Sequence, residues 1–323
     1  MRTDEIRTIT DRLAALVAVH YVFPEVGQKV AARLAAASAA GRYDELTEPE
    51  QLAERVTADL QEGNLDKHLR LKYNREEVPD EADPAAEEAY WLGQARLHAG
   101  GMARAERLPG NIGVLEIRPI LYPPQHAAPA VSAAMSLLSA TYALIVDLRG
   151  CIGGSPDQVA YLCSHLVGSE PVHLNDLVTP ADGTVRQFWT TPALPGPRYG
   201  GTKPIWVLTS AATFSGGEEL AYNLQTLGRA TVVGERTGGG AHPRRGFSLH
   251  PNLEATIPVQ RSINPLTGTN WEGVGVWPQV DVAAADAFDE ARRRAVEYVL
   301  ALPPGSGRSA AADELRPVAA LRG

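Results

Sequence analysis

Cysteine is scarce in this sequence: Cys151 and Cys163 are the two thiols among 323 residues. Two thiols build no disulfide framework, and their spacing matches no zinc pattern, so both read as reduced, packed side chains. No run of 18 or more apolar residues occurs, which excludes an obvious membrane-spanning helix. The N-terminus carries Asp4, Glu5 and Asp11 where a secretory leader needs an apolar core. A soluble, cytoplasmic protein without a membrane partner is the expectation. Lysine and arginine never gather into a block, and the net charge is −8, so no nucleic-acid partner is expected. No Gly-Lys-Ser/Thr follows a glycine-rich turn, which argues against a phosphate loop. There is no internal repeat, and nothing implies a metal or an organic cofactor.

What is present is ordinary globular material, with 44% hydrophobic and 21% charged residues. Ile6, Ile9, Leu13, Leu16 and Val17 recur with the 3.6-residue period of an amphipathic helix. A second helix is expected after Pro24, ending near Gly41, and a third over 50–60 behind Pro49. Residues 1–75 therefore read as an N-terminal helical bundle. The acidic stretch 76–88 holds two prolines and opens a connecting segment over 76–107. From 108 to 302 strands and helices alternate: a strand at 112–117, a helix at 130–140, a buried strand at 143–148, a helix from 157. A second buried strand follows at 204–210, a helix at 218–228 and a third strand at 230–235. Such alternation predicts an α/β (α+β) core of βαβ units around parallel strands. Later segments turn to β, a helix starts at 287, and 303–323 reads as a loose tail.

Ser215 stands between a buried strand and a helix. A helix start offers unpaired N–H groups and partial positive charge, which suits a nucleophile whose substrate develops an oxyanion. Gly216 and Gly217 clear side chains from its path. The same Ser-x-x-Glu pattern, Ser215 to Glu218, is also a routine capping box, and the segment alone does not choose between the two. Glu218 and Glu219 would complement the helix dipole. Asp147 and Arg149 are placed to pin the turn after their strand, and Cys151 is expected to pack. A base is needed as well, and spacing does not choose among His20, His68, His98, His126, His165, His173, His242 and His250.

Three ordered motifs add to this: ALIVDLRGCIGG, TSAATFSGGEELA and GRATVVGERTGGG. Together they resemble the tail-specific proteases, peptidase family S41, over residues 108–282. The resemblance implies a ClpP/crotonase-like core and a serine peptidase. Two departures stand out. The lysine base of the processing members falls in a stretch that reads Thr237-Gly238-Gly239-Gly240-Ala241 here, so a Ser–Lys dyad is excluded. A PDZ domain of about 80–100 residues does not fit between His68 and Asn111. GERTGGGAHP, NPLTGTNWEGVGVWPQVDV and HYVFPEVG resemble instead the bacterial relatives of the interphotoreceptor retinoid-binding protein, whose logic the tricorn protease shares.

That branch implies a serine–histidine–glutamate system. Matching its motifs puts His68 in the base position and Glu272 in the carboxylate position beside Ser215. The Gly216 N–H and an N–H from the Gly153–Gly154 turn would hold the oxyanion. Lys67 replaces a serine before the histidine, and a cation there would lower the pKa of His68. Cys151 and Ile152 interrupt the usual glycine-rich turn. His242 and Trp271 are candidates to line the cleft, Trp271 equally to fill the core. The expected partner is a peptide or a small acyl substrate; an esterase, amidase or acyl-transfer activity is the related reading. A carrier of retinoid- or fatty-acid-like lipophilic ligands is the non-catalytic one. Self-association is compatible with the helical domain and the apolar strands.

Overall fold

The computed structural model describes residues 1–77 and 84–320. Helices α1 (Thr3–His20), α2 (Pro24–Ala39) and α3 (Pro49–Gln61) precede strand β1 (Arg70–Tyr73) and helix α4 (Pro84–Leu97). Strands β2 (Met102–Leu108) and β3 (Ile112–Ile117) lead to α5 (Pro124–Leu138), β4 (Ala143–Asp147) and α6 (Pro156–Leu166). Strands β5 (His173–Thr179), β6 (Thr184–Trp189) and β7 (Ile205–Thr209) follow, then α7 (Gly216–Thr226) and β8 (Thr231–Gly234). The chain closes with β9 (Arg244–His250), β10 (Leu253–Pro258), β11 (Arg261–Ile263), β12 (Val280–Asp281), α8 (Ala287–Ala301) and α9 (Ser306–Ala320).

Two compact units share these elements. The first comprises Met1–Tyr90, Asp176–Arg186 and Gly240–Ile263. Its first three helices bury the face that their periodicity announced: Ile6, Leu13 and Val17 of α1, Leu34 of α2, Leu52 and Leu60 of α3. Pro24 and Pro49 sit in the first turns of α2 and α3, where no intrahelical N–H is lost. Unlike the all-helical domain expected over 1–75, the unit also contains an antiparallel sheet in the order β1-β10-β9. Leu71 pairs with Ala255, so the strand that ends the bundle finds its partner far along the chain. Leu253, Ala255 and Ile257 extend the helical core onto this sheet.

The second unit comprises Trp91–Asn175, Gln187–Gly239 and Asn264–Gly323. Its six-stranded sheet runs β12-β8-β7-β4-β3-β2, parallel except for the antiparallel edge strand β2. All five residues of β4 and all five of β7 are buried, as continuous apolar runs require in a parallel sheet. Helix α8 lays Ala287, Ala291, Ala295 and Val299 against Ile145, Leu208 and Val233. The parallel α/β core expected from the strand–helix alternation is thus observed.

Two expectations on connectivity change. The connecting segment 76–107 contains α4 and most of β2, whereas 78–83 of its acidic stretch lie outside the described residues. The residues expected as a loose tail form α9. Ala311 and Leu315 are buried in the α8 core, and the Glu314 carboxylate accepts from Arg107 Nη2 (2.8 Å) and from the Gly110 N–H (3.0 Å). Alanine-rich sequence with few β-branched residues was enough to form a helix once this apolar stripe had a surface to cover. Among the described residues, no helix is long and apolar enough to cross a membrane.

Candidate active site

In the second unit, the chain leaves β7 at Thr209 and makes a turn before α7 starts at Gly216. Hydrogen bonds hold this turn to the segment after β4. The Thr213 hydroxyl donates to the Leu148 carbonyl (2.9 Å), Ser210 Oγ donates to the Arg149 carbonyl (2.8 Å), and the Phe214 N–H donates to the Cys151 carbonyl (3.0 Å). Arg149 in turn grips Asp147 at 2.6 Å, which pins the β4 turn as expected.

Ser215 follows with φ 50° and ψ −119°. Ser215 and Glu218 do form the capping box their spacing allows, but an ordinary N-cap residue is extended, so capping alone does not account for this backbone. A non-glycine residue held there stores on the order of 1–3 kcal/mol and persists because its surroundings fix it. Such strain gathers at reacting residues.

The turn after β4 lies directly against the serine. A Cβ placed on Gly153 would stand 3.2 Å from Ser215 Cβ, and one placed on Gly216 would stand 2.8 Å from the Gly154 carbonyl oxygen. Only glycine lets the two backbones approach this closely. The Gly153 carbonyl accepts from the Leu121 N–H (2.9 Å). In a trans peptide the Gly154 N–H then points the other way. The Gly216 N–H is the first of α7 and has no intrahelical acceptor by construction. The structure thus brings Ser215, Gly216, Gly153 and Gly154 together. Cys151 is fully buried beneath them; burial pushes its thiol up to about 11, which suits packing and not nucleophilic attack.

Glu218 and Glu219 differ from their expected part as simple dipole complements. Glu219 is buried, and desolvation pushes its carboxyl up to about 7 although Asn175 Nδ2 donates to it (3.2 Å). Glu218 is fully buried as well, and its carboxylate accepts from the Ser215 N–H at 2.9 Å.

Glu272 is half-buried on a loop of the same unit. Its N–H donates to Asn270 Oδ1 (2.9 Å), a local Asx turn. The loop is tied to the glycine run: the Gly273 N–H donates to the Gly239 carbonyl (3.1 Å) and the Val276 N–H to Thr237 Oγ1 (2.7 Å). Trp271 is buried with its ring 5.3 Å from that of Tyr222, which fits the core-filling reading.

His68 belongs to the first unit, in the bend before β1. It is buried, its N–H donates to Asp66 Oδ1 (3.0 Å), and its carbonyl accepts from Thr256 Oγ1 of β10 (2.6 Å). Burial above all, with Arg244, His242 and Arg70 adding to it against the pull of Asp66, lowers His68 to about 4. The imidazole is therefore neutral at neutral pH, as a general base must be. The lowering expected from Lys67 has other sources; Lys67 itself is exposed.

Asp66 is a residue that the sequence reading passed over. It is buried, and its Oδ2 accepts from Tyr21 Oη (3.0 Å) and lies 3.1 Å from His242 Nδ1. Burial would raise its carboxyl, yet the hydrogen bond and charge of His242, helped by His68, outweigh it and hold the group below the usual value. His242 is buried, with Phe23 edge-on to its ring at 5.3 Å. An aspartate two residues before a histidine is an Asx-turn signature, so the signal for Asp66 was present in Asp66-Lys67-His68.

Comparison with known proteins gives the family and the fold. The sequence model of peptidase family S41 matches residues 111–282, more than half of the chain. That of the N-terminal domain of peptidase S41 in eukaryotic IRBP matches residues 2–95. Mature CPAF superposes with a TM-score of 0.57 at 15% identity, covering 91% of this chain and 96% of its own. A lipoprotein from Streptococcus agalactiae gives 0.57 at 13% identity over 90% of this chain and 96% of its own. The tricorn protease gives 0.58 at 14% identity over 92% of this chain, which spans 37% of tricorn's length. At these identities the three structures establish the fold.

Proposed function

This chain belongs to peptidase family S41, and from that membership we propose that it cleaves peptide bonds through an acyl-enzyme formed on Ser215, with His68 as general base and Glu272 as the supporting carboxylate. The observation that carries the reading is the strained Ser215 at the start of α7, with its Cβ region against the Gly153–Gly154 turn. In this reaction Ser215 Oγ attacks the scissile carbonyl while neutral His68 takes its proton. The carbonyl oxygen becomes an oxyanion, held by the Gly216 N–H and an N–H of the Gly153–Gly154 turn. His68 then gives the proton to the departing amine, and the acyl-enzyme remains. Water repeats the sequence: His68 deprotonates it, and as the tetrahedral adduct collapses to free acid His68 returns the proton to Ser215 Oγ. Glu272 orients and polarises the site.

The pairing of Asp66 with His242 supports a refinement. Asp66 fixes the backbone at His68 and so sets where its ring can go. No PDZ reader is part of the proposal: between His68 and Asn111 the described elements are β1, α4, a single 3-10 turn and β2.

Labelling by a fluorophosphonate probe tests the reading. Wild type should be labelled, Ser215→Ala should not be labelled at all, and His68→Ala should lose at least about 100-fold in rate, the contribution of general-base catalysis. A folded wild type that resists the probe would remove the serine-hydrolase reading and leave the lipophilic carrier to be tested.

A further inference from the structure

The carboxylate of Glu218 reaches in two directions. Oε2 accepts from the Ser215 N–H (2.9 Å), inside the first turn of α7. Oε1 leaves the helix and accepts from the Thr237 hydroxyl (2.5 Å) and from the Gly239 N–H (2.6 Å). A capping glutamate needs only the first of these bonds. Full burial of a carboxylate is unfavourable, and three donors aimed at it compensate.

The bond to Ser215 has a geometric consequence. The peptide joining Phe214 to Ser215 is gripped on both edges: its N–H by Glu218 and its carbonyl by the Gly217 N–H (2.9 Å). Pinning that plane leaves φ of Ser215 little freedom, and φ is where the residue is strained. The bonds on the other oxygen have a second consequence. Thr237 exchanges hydrogen bonds with Val276, its N–H donating to the Val276 carbonyl (3.2 Å) and its Oγ1 accepting from the Val276 N–H (2.7 Å). The Gly239 carbonyl accepts from Gly273. Glu272 sits inside the loop these bonds anchor.

We propose that Glu218 is a positioning residue for the reaction: one buried carboxylate holds Ser215 in its strained conformation and ties it to the glycine run that carries the Glu272 loop. The inference rests on Ser215 being the nucleophile. Glutamine is the informative substitution. Its size is that of glutamate, but one end is a donor, so it satisfies Ser215 or the Thr237–Gly239 pair and not both.

The test is the kinetics of fluorophosphonate labelling in wild type, Glu218→Gln and Thr237→Val, separating the maximal labelling rate from the probe concentration giving half of it. Both variants are first checked for a wild-type near-ultraviolet dichroism spectrum. Glu218→Gln should lower the maximal rate about 10- to 100-fold, the penalty for a misplaced reacting group, with the half-saturating concentration within about threefold and the pH midpoint unmoved. Thr237→Val, which removes one of the three bonds to the carboxylate together with the Val276 N–H bond to Oγ1, should lower the maximal rate by a smaller factor, and it decides the matter if Glu218→Gln does not fold. A wild-type maximal rate in the folded variants overturns the inference, as does a loss carried by the half-saturating concentration alone. An unlabelled wild type is a different failure, that of the nucleophile itself.

Discussion

A neutral histidine held beside a buried aspartate has a measurable signature at the residue scale. His68 is lowered to about 4 chiefly by burial. The free imidazole, the form that a general base needs, therefore persists well below the 6.5 of an unperturbed side chain. The labelling rate should stay level from pH 8 to about 5.5 and fall as pH drops through about 4; a midpoint near 6.5 would show that the base is not His68 as placed here. Stability follows the same group. Since the folded value lies below the unfolded one, the unfolded chain binds the extra proton between about 6.5 and about 4, and the fold loses stability as pH falls through that window. Denaturant midpoints at pH 7 and pH 4.5, compared between wild type and His68→Gln, should differ less in the variant. Ser215, Gly216 and the Gly153–Gly154 turn were legible in the sequence because glycine pairs and a strand-to-helix serine leave local marks. Asp66 and the second reach of Glu218 were not singled out. A carboxylate's partners are set by tertiary contacts, and Thr237 is 19 residues from Glu218.

Elements divide along the same line. Strands β4 and β7 and helices α1, α6 and α7 were legible because burial on both faces or on one stripe writes itself as a run or a period. Helix α9 escaped: the glycines, prolines and small polar residues of 303–323 read as tail composition, while the apolar contribution of α9 is a sparse stripe with Ala311 and Leu315 buried. That stripe can be weighed. Leu315 is 6% exposed and packs over Gly110. Leu315→Ala should destabilise the protein by about 2 kcal/mol, the low end for a buried leucine at a surface helix, as read from urea unfolding. A change under about 0.5 kcal/mol would return α9 to the status of a tail.

At the scale of the whole molecule, the interleaving of the two units was the least legible feature. Strand β1 pairs with β10, and the first unit draws on three separate stretches of chain. Periodicity states that a segment is a strand but not which strand lies beside it, so an all-helical first domain was the natural expectation. The proposal of a peptidase without a PDZ domain implies no built-in reader of free tails. A peptide substrate with a free C-terminus and its amidated twin should be cleaved with kcat/KM values within about threefold. A preference of more than tenfold for the free acid would show a tail reader elsewhere in the molecule.

The proposed reaction turns on Ser215 being the residue that becomes acylated. Peptide mapping by tandem mass spectrometry after fluorophosphonate treatment addresses it most directly. The account expects a single adduct, on the peptide containing Ser215 and at that hydroxyl, abolished in Ser215→Ala. An adduct at another residue, or none on the folded wild type, would contradict it.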